Sequence, residues 1–72
     1  MDLTSVIVTK NEVVLIEGAK GKTANGLVNV EAAHPAGLEE TDEVTITAAG
    51  AFEVTAFYID EEPAGWLNFK ID

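Results

Sequence analysis

The sequence predicts an all-β domain, either a small antiparallel β-sandwich or a partly open barrel of five to six short strands. Valine, isoleucine, threonine and aromatic residues come in short runs separated by glycine, asparagine, aspartate and proline, a pattern typical of strands and turns. No window of eleven or more residues carries the apolar stripe of a helix. The 72 residues have the length of a single domain, residues 1–72.

Six runs are expected to form strands. They are rich in β-branched and aromatic residues, and turn-forming residues separate them. In chain order they are Leu3–Thr9, Glu12–Glu17, Leu27–Ala33, Glu43–Ala48, Ala51–Asp60 and Trp66–Ile71.

The first two runs are expected to form a hairpin around a two-residue turn at Lys10–Asn11. This register places Val8 opposite Val13 and Val6 opposite Leu15. Because side chains alternate between the faces of a strand, these four residues would form one apolar core patch.

Apolar residues also fall on the opposite face of some strands. They are Ile7, Val14 and Ile16 in the first hairpin, and Phe57 and Ile59 in the fifth run. One interpretation is that these strands are buried on both sides or lie under a loop. The other is that the residues form a contact surface for another protein subunit.

The segment Glu17–Gly26 contains a Gly-Lys-Thr triplet at residues 21–23, which also ends the phosphate-binding loop of nucleotide-binding proteins. Only two residues separate Gly18 from Gly21, where that motif requires four, and a strand rather than a helix is predicted to follow. We therefore expect a mobile glycine-rich connection between the second and third strands. Lys20 and Lys22 would lie on it, either free in solvent or in contact with an acidic partner.

The fourth and fifth runs are expected to form a hairpin around the three-residue loop Ala48–Gly50. This register places Ile46 opposite Phe52 and Val44 opposite Val54, so that one face is apolar. The glycine would take the left-handed conformation that such a loop requires.

The last run alternates, with Leu67, Phe69 and Ile71 on one face and Trp66, Asn68 and Lys70 on the other. The last three strands are therefore expected to form an antiparallel meander, and the N-terminal hairpin a second layer. Trp66 is either a core or rim anchor or a hot spot of a protein interface.

The chain has 13 acidic residues against four lysines and no arginine, and its net charge is −9. This charge argues against binding to nucleic acid or to an anionic membrane. It favours either simple solubility or mimicry of a polyanion that docks on a basic surface.

No combination of residues predicts catalysis or a cofactor. The chain has no cysteine, and a single histidine, His34, cannot form a zinc site. The only serine, Ser5, lies in a strand pattern, which gives no support for a Ser–His nucleophile. The acidic clusters Glu39–Glu43 and Asp60–Glu62 lack the spacing of a calcium-binding loop. The sequence thus predicts a protein that is not an enzyme and has no cofactor or metal.

The chain resembles the small capsid-decoration, or cement, proteins of tailed bacteriophages. The resemblance lies in chain length and in β-rich runs such as Asp42–Thr47 and Ala51–Phe57, and it includes no diagnostic motif. It implies a protein that binds between major capsid subunits and stiffens the shell. Such a chain would be found in the host cytoplasm during assembly and then in the virion; outside a virus, a cytoplasmic location is expected.

The leading hypothesis is a structural or interaction protein that docks on, or assembles with, other protein subunits, including copies of itself. The candidate interface residues are Ile7, Val14, Ile16, Lys20, Lys22, Phe57, Ile59 and Trp66. One alternative is an acidic inhibitor that binds the basic groove of a nucleic-acid enzyme. Another is a module that binds a small molecule or carbohydrate through Trp66 and Tyr58.

Overall fold

The computed structural model describes all residues from 1 to 72 and contains six strands and no helix. The strands are β1 (Asp2–Lys10), β2 (Val13–Ala24), β3 (Leu27–Glu31), β4 (Glu43–Ala48), β5 (Phe52–Glu61) and β6 (Trp66–Ile71). The all-β prediction is confirmed. The structure contains no apolar helix of membrane-spanning length.

The strands form one closed antiparallel barrel in the order β1-β2-β3-β6-β5-β4, with β4 returning to β1. The predicted meander of the last three strands is confirmed, because β5 pairs with both β4 and β6. The N-terminal hairpin does not form a second layer, because β1 pairs with β4 and β2 pairs with β3. Of the two predicted architectures, the barrel is therefore the one that the chain adopts.

The barrel interior holds one apolar core to which every strand contributes. Its largest fully buried side chains belong to Val6, Val8, Val28, Val30, Ile46, Leu67 and Phe69. The predicted inward face of the last strand is confirmed by Leu67 and Phe69, while Ile71 is partly buried against the core. No buried polar side-chain atom lacks a hydrogen-bond partner.

The first hairpin turns one residue later than predicted, at Asn11–Glu12. Both turn residues have positive φ, 50° and 67°, and Lys10 pairs with Val13. This shift moves Val13 out of the predicted core patch. In the structure the exposed fraction of Val13 is 59%. A bulge at Leu15 then brings Ile16 opposite Val8, and Ile16 becomes a core residue.

The predicted mobile connection at residues 17–26 is wrong, because β2 continues through it. Residues Lys20–Ala24 pair with Leu27–Glu31 around a tight turn at Asn25–Gly26. Gly21 is buried in this ladder, and an added Cβ would lie 2.5 Å from the carbonyl oxygen of Asn29. The glycine of the Gly-Lys-Thr triplet therefore permits close contact between two strands.

The second hairpin has the predicted loop length and apolar face, but its register differs by two residues. The loop is Ala49–Ala51, and Ile46 pairs with Val54 instead of Phe52. A shift of two residues keeps every side chain on its predicted face. Gly50 has a φ of 86°, which confirms its left-handed conformation.

The segment 32–42 connects β3 to β4 and contributes Leu38 to the core. Lys10 holds it from β1, since its Nζ donates hydrogen bonds of 2.7 Å to the Gly37 carbonyl and to the Asp42 carboxylate. The Asp42 carboxylate also accepts a hydrogen bond from the Glu39 backbone N–H. The pKa of Asp42 is lowered from its ordinary value of 3.8, chiefly by the hydrogen bond from Lys10 and to a smaller extent by that from the Glu39 backbone.

Candidate protein-docking face

Three of the four lysines and the only tryptophan lie on one outer surface of the barrel, formed by β2, β3 and β6. We call this surface the lysine–tryptophan face. Its residues are Lys20, Lys22, Asn29, Glu31, Trp66, Asn68 and Lys70. The opposite outer surface belongs to β4, which stands across the six-strand ring from β3.

The strand register places these side chains next to one another. Glu31 is the cross-strand partner of both Lys20 and Trp66, which form the first row with it. In the second row, Asn29 stands between Lys22 and Asn68. Residues two apart on one strand share a face, so the two rows form one continuous surface.

Lys22 lies over the indole ring of Trp66, with its Nζ 5.4 Å from the ring centroid. This is the distance of a cation–π contact, which contributes about 0.5–1 kcal/mol at an exposed site. Lys20, Lys22 and Lys70 form no salt bridge, whereas Lys10 is paired with Asp42. The three unpaired lysines of this acidic chain are therefore all on the same face.

Side-chain amides hold the centre of the face in a fixed arrangement. The Asn29 amide donates to the Asn68 side-chain oxygen. The Asn68 amide in turn donates to the Asp60 carboxylate at 2.7 Å and to the Glu62 carbonyl at 3.0 Å. Asn68 therefore uses both amide hydrogens and its oxygen within the protein, which fixes its orientation.

A groove of about 350 Å³ runs across this amide network. Its lining is polar apart from one aromatic ring and one proline, and consists of Lys22, Asn29, Glu62, Pro63, Trp66 and Asn68. A second groove on the other side of Lys22 and Trp66 includes Lys20 and Glu31. Both grooves thus share the Lys22–Trp66 pair, which forms the ridge between them.

The border of the face on the β5 side is more apolar. Lys70 lies between Leu27 of β3 and Phe57 of β5 in the strand register. Phe57 is half-buried, and Ile59, at a bulge of β5, is exposed. Apolar and cationic side chains therefore lie side by side at this border.

The structure brings together five of the eight predicted interface residues, namely Lys20, Lys22, Phe57, Ile59 and Trp66. The other three do not join them. Ile7 is half-buried on the outer side of β1 between Thr47 and Glu17. Val14 is exposed near the tip of the first hairpin.

Ile16 was wrongly predicted as an interface residue, because the bulge at Leu15 turns its side chain into the barrel. Its exposed fraction is 8%, and it packs with the core. A bulge adds one residue to a strand and reverses the faces of the residues that follow, and no local sequence signal marked it.

The residues Asn29, Asn68 and Lys70 are part of the face but were missing from the predicted interface. The alternation of β6 carried a signal for two of them, because Asn68 and Lys70 share the side of the strand that holds Trp66. Asn29 could not be found in this way, because the pairing of β3 with β6 joins segments 39 residues apart in sequence.

Tyr58 is not available for the binding role considered with Trp66. Its side chain is buried, its hydroxyl is 3.2 Å from Nδ1 of His34, and its ring packs against Phe69. The pKa of Tyr58 is raised above its ordinary value of 10.0, chiefly because the side chain is buried. The nearby carboxylates of Glu61, Asp60 and Glu40 raise it further.

The rest of the surface shows no arrangement typical of a metal site. No three histidine, aspartate or glutamate side chains lie close enough together to hold a metal ion. The Nε2 atom of His34 is 2.7 Å from the Leu38 carbonyl, so both ring nitrogens have partners within the protein. His34 thus contributes to the attachment of segment 32–42.

Comparison of the chain with known proteins gave no match to a family model, to a curated protein or to a solved structure.

Proposed function

We infer that this chain is a non-enzymatic docking module that binds a carboxylate-bearing surface of another protein subunit through its lysine–tryptophan face. The observation that carries this inference is the placement of all three unpaired lysines on the same face as Trp66, in a chain of net charge −9. Lysines spread for solubility alone would not be expected to gather on one face.

The chemistry of the face suits a protein partner. Tryptophan is among the residues that contribute most at protein interfaces, because a large ring loses little conformational entropy on binding. The lysines select for acidic partners, and the hydrogen bond to Asn68 holds the Asn29 amide in an orientation from which it can make a directional contact. An aromatic residue surrounded by polar groups is the usual anatomy of such a site.

A capsid-stabilising role belongs to the same proposal. A decoration protein needs a rigid body that presents side chains to a neighbouring subunit. A closed barrel whose strands are joined by 31 backbone hydrogen bonds is such a body. Finding the chain in a purified virion would support this role, whereas finding it only in a cytosolic complex would contradict it.

The test is capture of partners from the native source with three forms of the chain. Lys22→Gln is expected to lower retention of the partner about three- to tenfold, because it removes one charge and the contact with Trp66. Thr45→Glu is the matched control, since it also lowers the net charge by one but lies on β4, across the barrel. Wild-type-like retention by Lys22→Gln would contradict the proposal.

An acidic inhibitor is the second candidate, and the segregation of charge favours it. With the free lysines on one face, the β1–β4–β5 side carries Glu43 and Glu53 and no unpaired base. A partner bound there would lose affinity for Thr47→Lys and not for Lys22→Gln. Capture of a nucleic-acid enzyme with that pattern, and with a steep loss of binding in salt, would support the inhibitor instead.

A further inference from the structure

The barrel is closed in strand order, but the first half of β2 has only one neighbour. Residues Val13–Ala19 pair with β1, and the pairing of β2 with β3 begins only at Lys20. None of the remaining backbone or side-chain hydrogen bonds involves the backbone of Val13–Gly18. Residues Val13–Gly18, which we call the open edge, therefore have unpaired peptide groups on the side away from β1.

The register identifies which peptide groups these are. In a two-residue hairpin Lys10 and Val13 form the hydrogen-bonded closing pair, so the next pair, Thr9 and Val14, is not hydrogen-bonded. The N–H and C=O of Val14 thus point away from β1. By the same alternation, Glu17, the partner of Ile7, also points its peptide groups outward.

The open edge is accessible and apolar at its centre. Val13 and Val14 have exposed fractions of 59% and 53%. Segment 32–42 approaches the edge at Gly37, where an added Cβ would lie 3.9 Å from the Leu15 side chain. Proteins usually protect such edges with charged side chains, proline or a bulge. Residues 13–18 contain Glu17 and the bulge at Leu15 but no lysine or proline.

Acidic residues stand at both ends of the open edge. Glu12 and Glu17 are exposed and form no salt bridge, and the nearest lysine, Lys10, is paired with Asp42. Antiparallel pairing of two copies centred between Val14 and Leu15 would place Glu12 of one copy opposite Glu17 of the other. Like charges directly opposite each other destabilise a strand pair, and each copy carries nine net negative charges.

We propose that the open edge of β2 binds an extended, lysine- or arginine-bearing segment of another protein by strand addition. The partner strand would accept the hydrogen bond of the Val14 N–H and donate one to its carbonyl, while its basic residues face Glu12 and Glu17. The bulge at Leu15 limits the paired stretch to a few residues, which favours a short segment over a long one. This surface is separate from the lysine–tryptophan face and has the opposite charge preference.

The test is a titration of the full chain with two end-capped peptides, Lys-Val-Thr-Val-Lys and Glu-Val-Thr-Val-Glu, followed by NMR. The lysine peptide is expected to bind at least about tenfold more tightly than the glutamate peptide. It should shift the amide signals of Val14 and Glu17 and slow the hydrogen exchange of the Val14 amide, which is expected to be fast in the free chain. The indole signal of Trp66 should not change, which separates this result from docking at the lysine–tryptophan face.

Two variants make the test specific. Val14→Pro removes an N–H that β1 does not use, and should abolish binding of the lysine peptide in a folded chain. If that variant unfolds, the double variant Glu12→Gln, Glu17→Gln still tests the proposal. It should bind the lysine peptide roughly fivefold more weakly than the wild type does. A Val14 amide that is already protected in the free monomer would overturn the proposal. So would equal affinity for both peptides, no binding of either, or protection that appears only as the chain dimerises.

Discussion

At the scale of single residues, Gly21 shows how one position can be misinterpreted from sequence. Its place in Gly-Lys-Thr suggested a loop, whereas its backbone lies in β2, against Asn29 of β3. A methyl group at this position would meet a carbonyl oxygen that belongs to the ladder itself. The requirement for glycine here is therefore steric and does not depend on a positive φ.

Gly21→Ala is expected to lower the free energy of unfolding by about 1–3 kcal/mol, because β2 and β3 must move apart to admit the Cβ. Urea unfolding followed by far-ultraviolet circular dichroism would measure this loss. Lys20→Ala, at an exposed position of the same strand, should change stability by no more than about 0.5 kcal/mol. A Gly21→Ala chain as stable as the wild type would show that the two strands are not in such close contact.

Tyr58 allows a direct pKa measurement, because it is the only tyrosine of the chain. Titration of the tyrosinate absorbance in the folded protein should give a pKa above 10.0, and the urea-unfolded chain should return to the ordinary value. Since the folded state keeps the Tyr58 proton longer, the contribution of Tyr58 to stability should be constant below about pH 10 and should fall as the pH rises toward the folded pKa. A folded-state pKa at or below 10.0 would contradict the burial of the hydroxyl beside His34.

At the scale of elements, the first hairpin has a turn of the type that favours Asn-Gly but carries Asn-Glu. Both Asn11 and Glu12 have positive φ, which costs free energy for a residue with a Cβ. Glu12→Gly should therefore raise the free energy of unfolding by about 0.5–1 kcal/mol. Glu12→Gln is the control, because it removes the same charge but leaves a side chain with a Cβ at this position. If thermal unfolding showed the two variants to be equally stable, the positive φ of Glu12 would be contradicted.

Segment 32–42 is held to the barrel by an ion pair whose contribution depends on pH. Because the folded state lowers the pKa of Asp42, its contribution to stability is present above about pH 4 and is lost as the pH falls through the folded value. Wild type should be more stable than Asp42→Asn near pH 7, and the difference should shrink toward pH 3. Glu40→Gln, which removes an exposed carboxylate without a hydrogen bond, should show no such change. A pH-independent difference would contradict the role of Lys10.

The sequence predicted the strands and their inward faces better than the turns. Alternation was sufficient for β6, and for β4 and β5 it survived a register error of two residues. In the first hairpin an error of one residue, together with the bulge at Leu15, exposed Val13 and buried Ile16. Such a bulge depends on the pairing of β1 with both β2 and β4, and this pairing involves residues far apart in the sequence.

The candidate face was predicted only in part for the same reason. Lys20, Lys22 and Trp66 were recognised as candidates from their residue types, but Lys20 and Lys22 were assigned to a mobile loop. Their grouping depends on the pairing of β2 with β3 and of β3 with β6. Contacts between segments so distant in sequence cannot be inferred from the local patterns of a single chain.

At the scale of the whole molecule, barrel closure explains how 72 residues without a disulfide form a complete core. Every strand has neighbours on both sides over at least part of its length, and 13 apolar residues are buried in one cluster. The core is therefore formed by residues of one chain alone. Docking at the lysine–tryptophan face would add a function to a barrel that is already folded.

Site-specific photo-crosslinking in the native source tests the proposed docking face most directly. A photoreactive amino acid would replace Lys20 on β2 in one form of the chain and Thr45 on β4 in another, and crosslinked proteins would be identified by mass spectrometry. We expect a discrete crosslink to an acidic protein subunit from position 20 and none to that subunit from position 45. Equal crosslinking from both positions, or a partner reached only from position 45, would contradict docking through the lysine–tryptophan face.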